Sequence, residues 1–282
     1  MRIMDSKIKH LIHLALSEDI GKADLTSEAV VEKDLSGKAI IVAKQEGVLS
    51  GLALAKMVFK MVNPTIVFKE LKQDGERIKK GEKAASVEGK IGSILTAERT
   101  ALNFLQRLCG IATLTAKYVE KIKGSKAKIL DTRKTTPGLR ILEKHAVKAG
   151  GGENHRMGLF DMILIKENHI RAAGGISEAV KKAKSKCRRQ KIEVEARNLG
   201  EVKEAIQSNP DWIMLDNMKI HQMKKAVRMI RSSSADIKIE ASGGVSLRNV
   251  RKIALTGVDF ISVGALTHSA PALDMSLILI EP

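Results

Sequence analysis

Residues 192–244 decide the fold, and they read IEVEARNLGEVKEAIQSNPDWIMLDNMKIHQMKKAVRMIRSSSADIKIEASGG. Short apolar runs alternate here with amphipathic helical patterns, and the alternation extends to both sides of the stretch. The strand candidates are 128–130, 162–165, 192–194, 212–215, 237–239 and 260–263, and the helices predicted among them lie at about 177–187, 200–208, 221–231 and 246–255. Strand–helix units of this length predict parallel strands with right-handed crossovers. Six strands fall short of the eight of a closed barrel, which favours an incomplete α/β barrel, with a doubly wound open sheet as the alternative.

The first part of the chain has a different pattern, in which strands and helices follow one another in mixed order. An amphipathic helix is predicted at 7–17, and a long helix is predicted from about Ser93 to Leu108. Between them the sequence predicts a helix and three strands, at 52–62, 37–45, 65–71 and 83–88. This order indicates an α+β sandwich rather than more parallel strand–helix units. The chain is therefore expected to have two unlike parts.

Composition and charge narrow the class of protein. The 282-residue chain has 49 basic and 32 acidic side chains, and its net charge of +17 favours polyanionic ligands without choosing among them. Aromatic residues make up only 2% of it, which argues against a nucleic-acid surface built on base stacking. Two isolated cysteines, a polar start and the lack of any apolar run of ~18 residues favour a cytoplasmic protein that does not enter a membrane.

Reactive or small polar residues follow each predicted strand of the barrel. The endings are Asp131-Thr-Arg-Lys134, Lys166, Glu195, Asp216-Asn217, Ser242-Gly-Gly244 and Gly264-Ala265. Ligands of parallel α/β folds bind beyond the carboxyl ends of the strands. Six such endings in succession therefore predict a single site at one mouth of the barrel.

Cationic side chains are concentrated between Asp131 and Lys166, which predicts a site for small, multiply charged anions. An arginine fork binds a carboxylate or phosphate through two parallel hydrogen bonds, so Arg133 and Arg156 are candidate anchors for planar anions. His155 is a candidate hydrogen-bond donor or proton carrier, although a lone histidine is more often structural. The other cations of this stretch are Lys134, Arg140, Lys144, His145 and Lys148.

The later strand ends predict sites for a phosphate and for a metal ion. Gly243 and Gly244 allow close approach of the backbone, and Ser242 adds a hydroxyl, which suits a phosphate; two ordinary turns are the alternative. Glu195 and Asp216 lie on neighbouring predicted strands, where they are placed to share one ligand. Mg²⁺ or the hydroxyls of a ribose suit two carboxylates, and salt bridges to nearby cations are the alternative.

Seven stretches together resemble the quinolinate phosphoribosyltransferase family, over a span from about Ile8 to Met275. They are Ser17-Glu-Asp-Ile-Gly21, Ala97-Glu-Arg-Thr-Ala-Leu-Asn103, Asp131-Thr-Arg-Lys-Thr-Thr-Pro-Gly-Leu-Arg140, Gly150-Gly-Gly-Glu-Asn-His-Arg156, Leu164-Ile-Lys-Glu-Asn-His169, Ile192-Glu-Val-Glu195 and Glu240-Ala-Ser-Gly-Gly244. Their order along the chain matches the family throughout. The combination is highly specific, although each stretch alone is short.

The resemblance implies a fold, a domain organisation and a reaction. The fold is that of a type II phosphoribosyltransferase, with an N-terminal open-faced α/β sandwich (1–109), an incomplete parallel α/β barrel (110–268) and a tail that returns to the sandwich (269–282). The reaction converts quinolinate and phosphoribosyl pyrophosphate to nicotinate mononucleotide, pyrophosphate and CO₂ with Mg²⁺, in de novo NAD biosynthesis. The alternatives are a related transferase acting on nicotinate or another pyridine acid and, from another class, a nucleic-acid-binding protein.

The resemblance also implies a role for each candidate residue. The quinolinate carboxylates would meet Arg133, His155, Arg156 and Lys166, together with Arg99 from a partner subunit, because members of the family are at least homodimers. The implied catalytic residues are Lys134, Lys166, Glu195 and Asp216. Of these, Lys134, Glu195 and Asp216 would face the phosphoribosyl and pyrophosphate groups, with Mg²⁺ held by the two carboxylates directly or indirectly. Further substrate contacts, mostly to the 5′-phosphate, would come from Thr132, Ser242, Gly243, Gly244, Val263, Gly264, Ala265 and His268.

Overall fold

Helices and strands succeed one another along residues 2–187 and 189–281, the part of the chain that the computed structural model describes; Met1 and Pro282, which the predicted domains include, lie outside the described residues. Up to Lys121 the elements are α1 (Arg2–Ile20), α2 (Leu25–Val30), β1 (Ser36–Ala43), β2 (Gly47–Val48), α3 (Leu52–Val62), β3 (Val67–Glu70), β4 (Arg77–Ile78), β5 (Lys83–Lys90) and α4 (Ile91–Lys121). Those that follow are β6 (Lys128–Leu130), α5 (Arg140–Ala149), β7 (Ile163–Ile165), α6 (Glu167–Ala173), α7 (Ile176–Lys186), β8 (Ile192–Ala196), α8 (Leu199–Ser208), β9 (Trp212–Asp216), α9 (Ile220–Ser233), β10 (Lys238–Ser242), α10 (Val250–Ala254), β11 (Phe260–Ser262), α11 (Ala265–His268) and β12 (Met275–Glu281).

The chain divides into two units. The first comprises the residues up to Leu114, Pro137–Gly151 and the residues from Ala270 onward, and the second comprises Thr115–Thr136 and Gly152–Ser269. Within the described residues, no helix is both long and apolar enough to cross a membrane.

The second unit contains a six-stranded parallel sheet in the order β6-β11-β10-β9-β8-β7. Strands that follow one another in the chain are neighbours in this sheet, and the last strand, β11, lies next to the first, β6. Among the described strands of this sheet, only β6 and β7 are consecutive in the chain but not paired. A doubly wound sheet reverses its strand order part-way across, so this order identifies an incomplete barrel. The prediction of the barrel is confirmed, and the alternative of a doubly wound sheet is wrong.

The first unit contains a sheet whose strand pairs are antiparallel. Its four strands stand in the order β12-β1-β5-β3, and β2 and β4 form a second, two-stranded sheet. The last strand of the chain, β12, pairs antiparallel with β1, so that Met275 lies opposite Ala43. Ala39, Ile41 and Ala43 of β1 are fully buried. These alternate residues point to one side of the strand and form part of the core of this unit.

Helix α4 is longer than the sequence analysis predicted. The predicted helix ended at Leu108, whereas α4 continues to Lys121. Its apolar face also continues, with Ile111, Ala112 and Tyr118 buried. Gly110 lies inside the helix because the chain approaches it closely: a Cβ there would lie 2.0 Å from the Pro271 carbonyl oxygen. This contact, distant in sequence, outweighs the low helix propensity of glycine.

Helix α5 was not predicted from the sequence, and it belongs to the first unit although residues 110–268 were assigned to the barrel. Its Glu143 is fully buried and accepts hydrogen bonds from Arg107 Nε (3.2 Å) and Nη2 (2.8 Å). Lys144 of the same helix is fully buried as well. Charged residues at these positions conceal the apolar pattern by which a buried helix is recognised.

Candidate active site

A cavity of about 710 Å³ lies at the carboxyl ends of the barrel strands. All of the predicted site residues except Arg99 and Val263 line it: Thr132, Arg133, Lys134, His155, Arg156, Lys166, Glu195, Asp216, Ser242, Gly243, Gly244, Gly264, Ala265 and His268. The succession of polar strand endings therefore forms one site, as the barrel geometry requires.

Some of the predicted residues lie elsewhere. Arg99 is exposed on α4 in the first unit. Val263 is buried, and its N–H donates to the Leu130 carbonyl oxygen at 2.9 Å. The cations of α5 do not line the cavity either, since α5 belongs to the first unit; His145, for example, lies 3.2 Å from Asp74 Oδ2. The single cationic cluster expected between Asp131 and Lys166 is thus divided, and the cavity receives only its two ends.

Two arginines form the cationic wall of the cavity. Burial and, next, the charge of Arg133 lower the pKa of Arg156, because a second guanidinium disfavours the charged form. Arg156 Nη1 donates to the Met162 carbonyl oxygen at 3.1 Å, which holds the guanidinium in place. Two half-buried guanidiniums that repel each other are suited to a ligand that carries two negative groups.

Lys134 reaches the cavity from the loop after β6, and the last strand ending packs against it. Thr267 Oγ1 donates to the Lys134 carbonyl oxygen at 2.7 Å, and the Lys134 N–H donates to Thr132 Oγ1 at 3.1 Å. A Cβ at Gly264 would lie 3.2 Å from the His268 ring and 3.3 Å from Lys134 Cδ. Only a small residue at this position lets the lysine and the histidine stand on one wall.

The carboxylates of Glu195 and Asp216 lie on neighbouring strands and repel each other. Burial and, next, the charge of Asp216 raise the pKa of Glu195. Asn217 Nδ2 donates to Asp216 Oδ2 at 2.9 Å, and Lys166 Nζ lies 3.9 Å from Glu195 Oε2. One cation thus approaches the pair, as the salt-bridge alternative expects. Two repelling carboxylates at the mouth of a polar cavity are also oxygen donors that fit Mg²⁺.

Glycine is required at the end of β10. Gly243 has a φ of +89°, and a Cβ there would lie 2.2 Å from Asn217 Oδ1. Gly244 has a φ of +59°, and a Cβ on it would meet nothing within 4 Å. The backbone of this turn therefore lies open to the cavity beside Ser242, which suits the close approach of a phosphate oxygen.

His155 is held from several sides at the floor of the cavity. Its Nε2 lies 3.0 Å from Glu193 Oε2 and 3.3 Å from Glu240 Oε2, and both glutamates are fully buried. Its Nδ1 accepts the Arg156 N–H at 2.7 Å, and its own N–H donates to Asp131 Oδ1 at 2.9 Å. Both ring nitrogens thus face protein groups, which was not expected of a residue predicted to contact a substrate carboxylate.

The charges of this buried group depend on one another. Burial alone would lower the pKa of His155, but hydrogen bonds to Glu193 and Glu240 raise it. Burial and then the charge of Glu240 raise the pKa of Glu193. Each of the three side chains has a nitrogen or oxygen atom that could bind a metal ion, and these atoms lie within 4.8 Å of one another. Both an ion-paired cluster and a metal site have this spacing.

Two family models match the chain. The model of the quinolinate phosphoribosyl transferase C-terminal domain matches residues 111–278, and the model of the N-terminal domain matches residues 24–109. The chain belongs to the quinolinate phosphoribosyltransferase family. The recognition made from seven short sequence stretches is confirmed, and so is the type II phosphoribosyltransferase fold.

Individual members of the quinolinate phosphoribosyltransferase family resemble the chain over nearly its whole length. A chloroplastic nicotinate-nucleotide pyrophosphorylase [carboxylating] of Arabidopsis thaliana is 46% identical and covers 96% of this chain and 82% of its own length. A probable nicotinate-nucleotide pyrophosphorylase [carboxylating] of Bacillus subtilis is 44% identical and covers 96% and 93%. The solved structure of the nicotinate-nucleotide pyrophosphorylase from Francisella tularensis is 42% identical, with a TM-score of 0.93 and coverage of 98% and 96%.

Several residues of the site were not predicted. Glu240 and Ser262 line the cavity, and Glu193 contacts His155; Asn217, predicted as a strand ending but without a role, lines the cavity as well. The signal for the two glutamates was a carboxylate inside an otherwise apolar buried strand, at the same alternation as a predicted site residue. Asn217 has a positive φ of 53°, which places its amide beside Asp216 and which no sequence pattern reveals.

Proposed function

We propose that the chain transfers the phosphoribosyl group of phosphoribosyl pyrophosphate to quinolinate, with loss of one carboxylate as CO₂, in de novo NAD biosynthesis. The products are nicotinate mononucleotide and pyrophosphate. The observation that carries the proposal is the cavity of a family member in which paired guanidiniums face a Gly-rich turn and two carboxylates. One end suits a pyridine dicarboxylate, and the other suits a phosphoribosyl donor.

The pyridine end is assigned to the cationic wall. Arg133 and Arg156 each present a fork that matches a carboxylate, and Lys166 adds a point charge. Quinolinate has carboxylates on adjacent ring carbons, so two neighbouring guanidiniums bind both at once. This binding also fixes the direction in which the ring nitrogen points. Holding two reactants in the correct orientation lowers the activation free energy of a bimolecular reaction by up to about 7–11 kcal/mol.

The phosphoribosyl end is assigned to the remaining strand endings. The 5′-phosphate lies against Ser242, Gly243 and Gly244, with the other wall formed by Gly264 and His268. Lys134 faces the pyrophosphate and stabilises the negative charge that develops on it as it leaves. Glu195 and Asp216 would hold Mg²⁺, directly or through water; when bound, the ion would neutralise pyrophosphate oxygens.

The chemistry that follows needs no electron-sink cofactor. The pyridine nitrogen forms a bond to C1 of the ribose while the bond from C1 to the pyrophosphate oxygen breaks. The ring nitrogen is then positively charged, and it accepts the electron pair that remains when the 2-carboxylate leaves as CO₂. A proton replaces the carboxylate at that carbon. The arginines hold the remaining carboxylate during this step, so the ring does not turn away from the ribose.

A homodimer or larger homo-oligomer is part of the proposal, with Arg99 entering the cavity of a neighbouring subunit. Two observations support it. Arg99 is exposed and does not line the cavity of its own chain. The edge strand β12 also exposes Ile278, Leu279 and Ile280 by 40–47%, and an apolar sheet edge of this kind is a surface for association. Mixing Arg99→Ala subunits with Arg156→Ala subunits tests it, because mixed dimers regain one complete site.

The cytoplasm is the proposed location, supported by two free cysteines, Cys109 and Cys187. The proposed ligands are the two small substrates and no nucleic acid. A filter-binding titration against salt tests the second point, since binding that falls steeply with salt concentration would indicate a nucleic-acid partner.

Formation of nicotinate mononucleotide and CO₂ from carboxyl-labelled quinolinate, with and without Mg²⁺, tests the activity directly. Arg156→Ala is expected to raise the Kd for quinolinate about 100-fold or more, while the Kd for phosphoribosyl pyrophosphate stays within about twofold. Turnover of nicotinate without release of CO₂ would instead assign the chain to a transferase for monocarboxylates.

A further inference from the structure

Glu193 and Glu240 are two carboxylates that the proposed reaction does not use. Both side chains are fully buried. Among the described residues, His155 contacts both, with its Nε2 at 3.0 Å from Glu193 Oε2 and 3.3 Å from Glu240 Oε2. Burial of two carboxylates is costly, and apolar residues of similar size would serve stability at least as well. Their presence therefore calls for a function.

The strands explain why the pair lies at the floor of the cavity, which Glu240 lines. Glu193 lies two residues before Glu195 on β8, and Glu240 lies two residues before Ser242 on β10. Residues two apart on a strand point to the same side. Both glutamates therefore point into the barrel, on the same side as the proposed ligands.

The contacts continue from the carboxylates to Arg156. In the neutral tautomer with its hydrogen on Nε2, the His155 ring donates to the glutamates, and its Nδ1 accepts the Arg156 N–H at 2.7 Å. The edge of the ring also meets Trp212, with centroids 6.2 Å apart and planes at 64°, and Trp212 stacks on Phe260 at 4.4 Å. The ring, which lines the cavity, thus has fixed neighbours at both nitrogens and against Trp212, and the peptide of Arg156 is bound to it.

We propose that Glu193 and Glu240 are positioning residues, which hold the His155 ring and, through it, fix the main chain of Arg156 so that its guanidinium receives a substrate carboxylate. The inference rests on the proposed function for the identity of that carboxylate. It assigns His155 a role through Arg156 instead of direct contact with the ligand. The proposal assigns neither glutamate a contact with the reacting atoms.

Apolar and conservative variants of the full-length enzyme test the proposal. Glu193→Met and Glu240→Met keep the volume but remove the acceptor, and each is expected to raise KM for quinolinate about 100-fold, the cost of a misplacement of about 1 Å. KM for phosphoribosyl pyrophosphate should stay within about twofold. Glu193→Gln retains an acceptor oxygen for Nε2 and is expected to recover at least about tenfold of the loss.

Asp259→Asn is the matched control for a damaged barrel. Asp259 accepts the Ile239 N–H and pairs with Lys126 and Arg231 in the same unit, and it does not line the cavity. The control is expected to lower Tm while leaving both KM values within about twofold. A rise in KM for quinolinate in Asp259→Asn equal to that in Glu193→Met would overturn the proposal, because general loosening of the barrel would then explain both.

A double-mutant cycle with Arg156→Lys identifies the route of the effect. If Glu193 acts through Arg156, adding Glu193→Met to Arg156→Lys should raise KM for quinolinate less than about threefold further. Losses that multiply independently would overturn the proposal. So would a metal ion bound one to one with the purified wild-type chain and lost from Glu193→Met, since the buried group would then be a metal site.

Hydrogen exchange without substrate separates this proposal from the proposed function. The peptide that contains the Arg156 amide should exchange faster in Glu193→Met than in the wild type or in Asp259→Asn, because its acceptor is no longer held. Unchanged exchange would refute the positioning role even if the enzyme converts quinolinate. Faster exchange in Glu193→Met, found together with a wild-type chain that does not act on quinolinate, would support the positioning contact and refute only the activity.

Discussion

The substitution Gly243→Ala, which adds a single methyl group, tests the phosphoribosyl end of the cavity. A Cβ there would lie 2.2 Å from Asn217 Oδ1 and 2.9 Å from the Asn217 main-chain nitrogen. Main chain cannot turn aside as a flexible side chain does, so Asn217 must move. Asn217 in turn donates to Asp216 Oδ2 at 2.9 Å. We therefore expect Gly243→Ala to displace the Asp216 carboxylate as well as to crowd the turn that is proposed to hold the 5′-phosphate.

The magnitude follows from comparison with Gly124→Ala, the matched control. Gly124 has a φ of +81°, close to the +89° of Gly243, but a Cβ on it meets nothing within 4 Å. A left-handed backbone costs a residue with a Cβ about 1–2 kcal/mol. That cost alone lowers Tm by roughly 2–8 °C in a chain of this size, and it is the whole effect at Gly124. The collision with Asn217 adds to it at Gly243.

Thermal unfolding and steady-state kinetics separate the two costs. Gly243→Ala should raise KM for phosphoribosyl pyrophosphate and the half-saturating Mg²⁺ concentration by about tenfold to 100-fold, because a shift of about 1 Å has consequences of that size. KM for quinolinate should change less than about twofold, as the arginines lie on another wall. Gly124→Ala should change none of these constants. Equal Tm and equal kinetic constants in the two variants would refute the reasoning.

Three further perturbations test other contacts. Asp216→Asn should raise the half-saturating Mg²⁺ concentration about tenfold or more at saturating substrates. His145→Asn should lower the free energy of unfolding by about 0.5–1 kcal/mol at about pH 5.5 and by less at about pH 9. The sign follows because Asp74 raises the pKa of His145, so its stabilising charge is complete below its usual value of 6.5 and is lost as pH rises through the raised value. Arg107→Met should cost about 3 kcal/mol in urea unfolding, because the buried Glu143 loses its guanidinium.

The barrel could be predicted because its strands are short apolar runs. Trp212-Ile-Met-Leu215 is one such run, and its residues pack against helices on one side and the barrel interior on the other. Helix α5 could not be predicted, because Glu143 and Lys144 are buried there and Glu143 is neutralised by Arg107, a residue distant in sequence. The same reason applies to the continuation of α4 past Gly110, where the close approach of Pro271 selects glycine. Local patterns report local burial, and these features depend on the tertiary fold.

The cavity could be predicted at its rim and at His155, but not at the residues inside the strands, and the difference has a physical cause. Residues such as Asp216 and Ser242 follow an apolar run, so a change of polarity marks them. Met214 and Glu240 line the same cavity two residues earlier, inside the strands, where the alternating neighbours Leu215 and Ala241 are buried on the opposite side. The alternation of side chains along a strand would have predicted them.

A residue two positions before a site residue on a barrel strand points to the same side and lies deeper in the barrel. A charge at such a position cannot be solvated, so it must be held by another group of the site. For that reason these positions are where positioning residues should be sought.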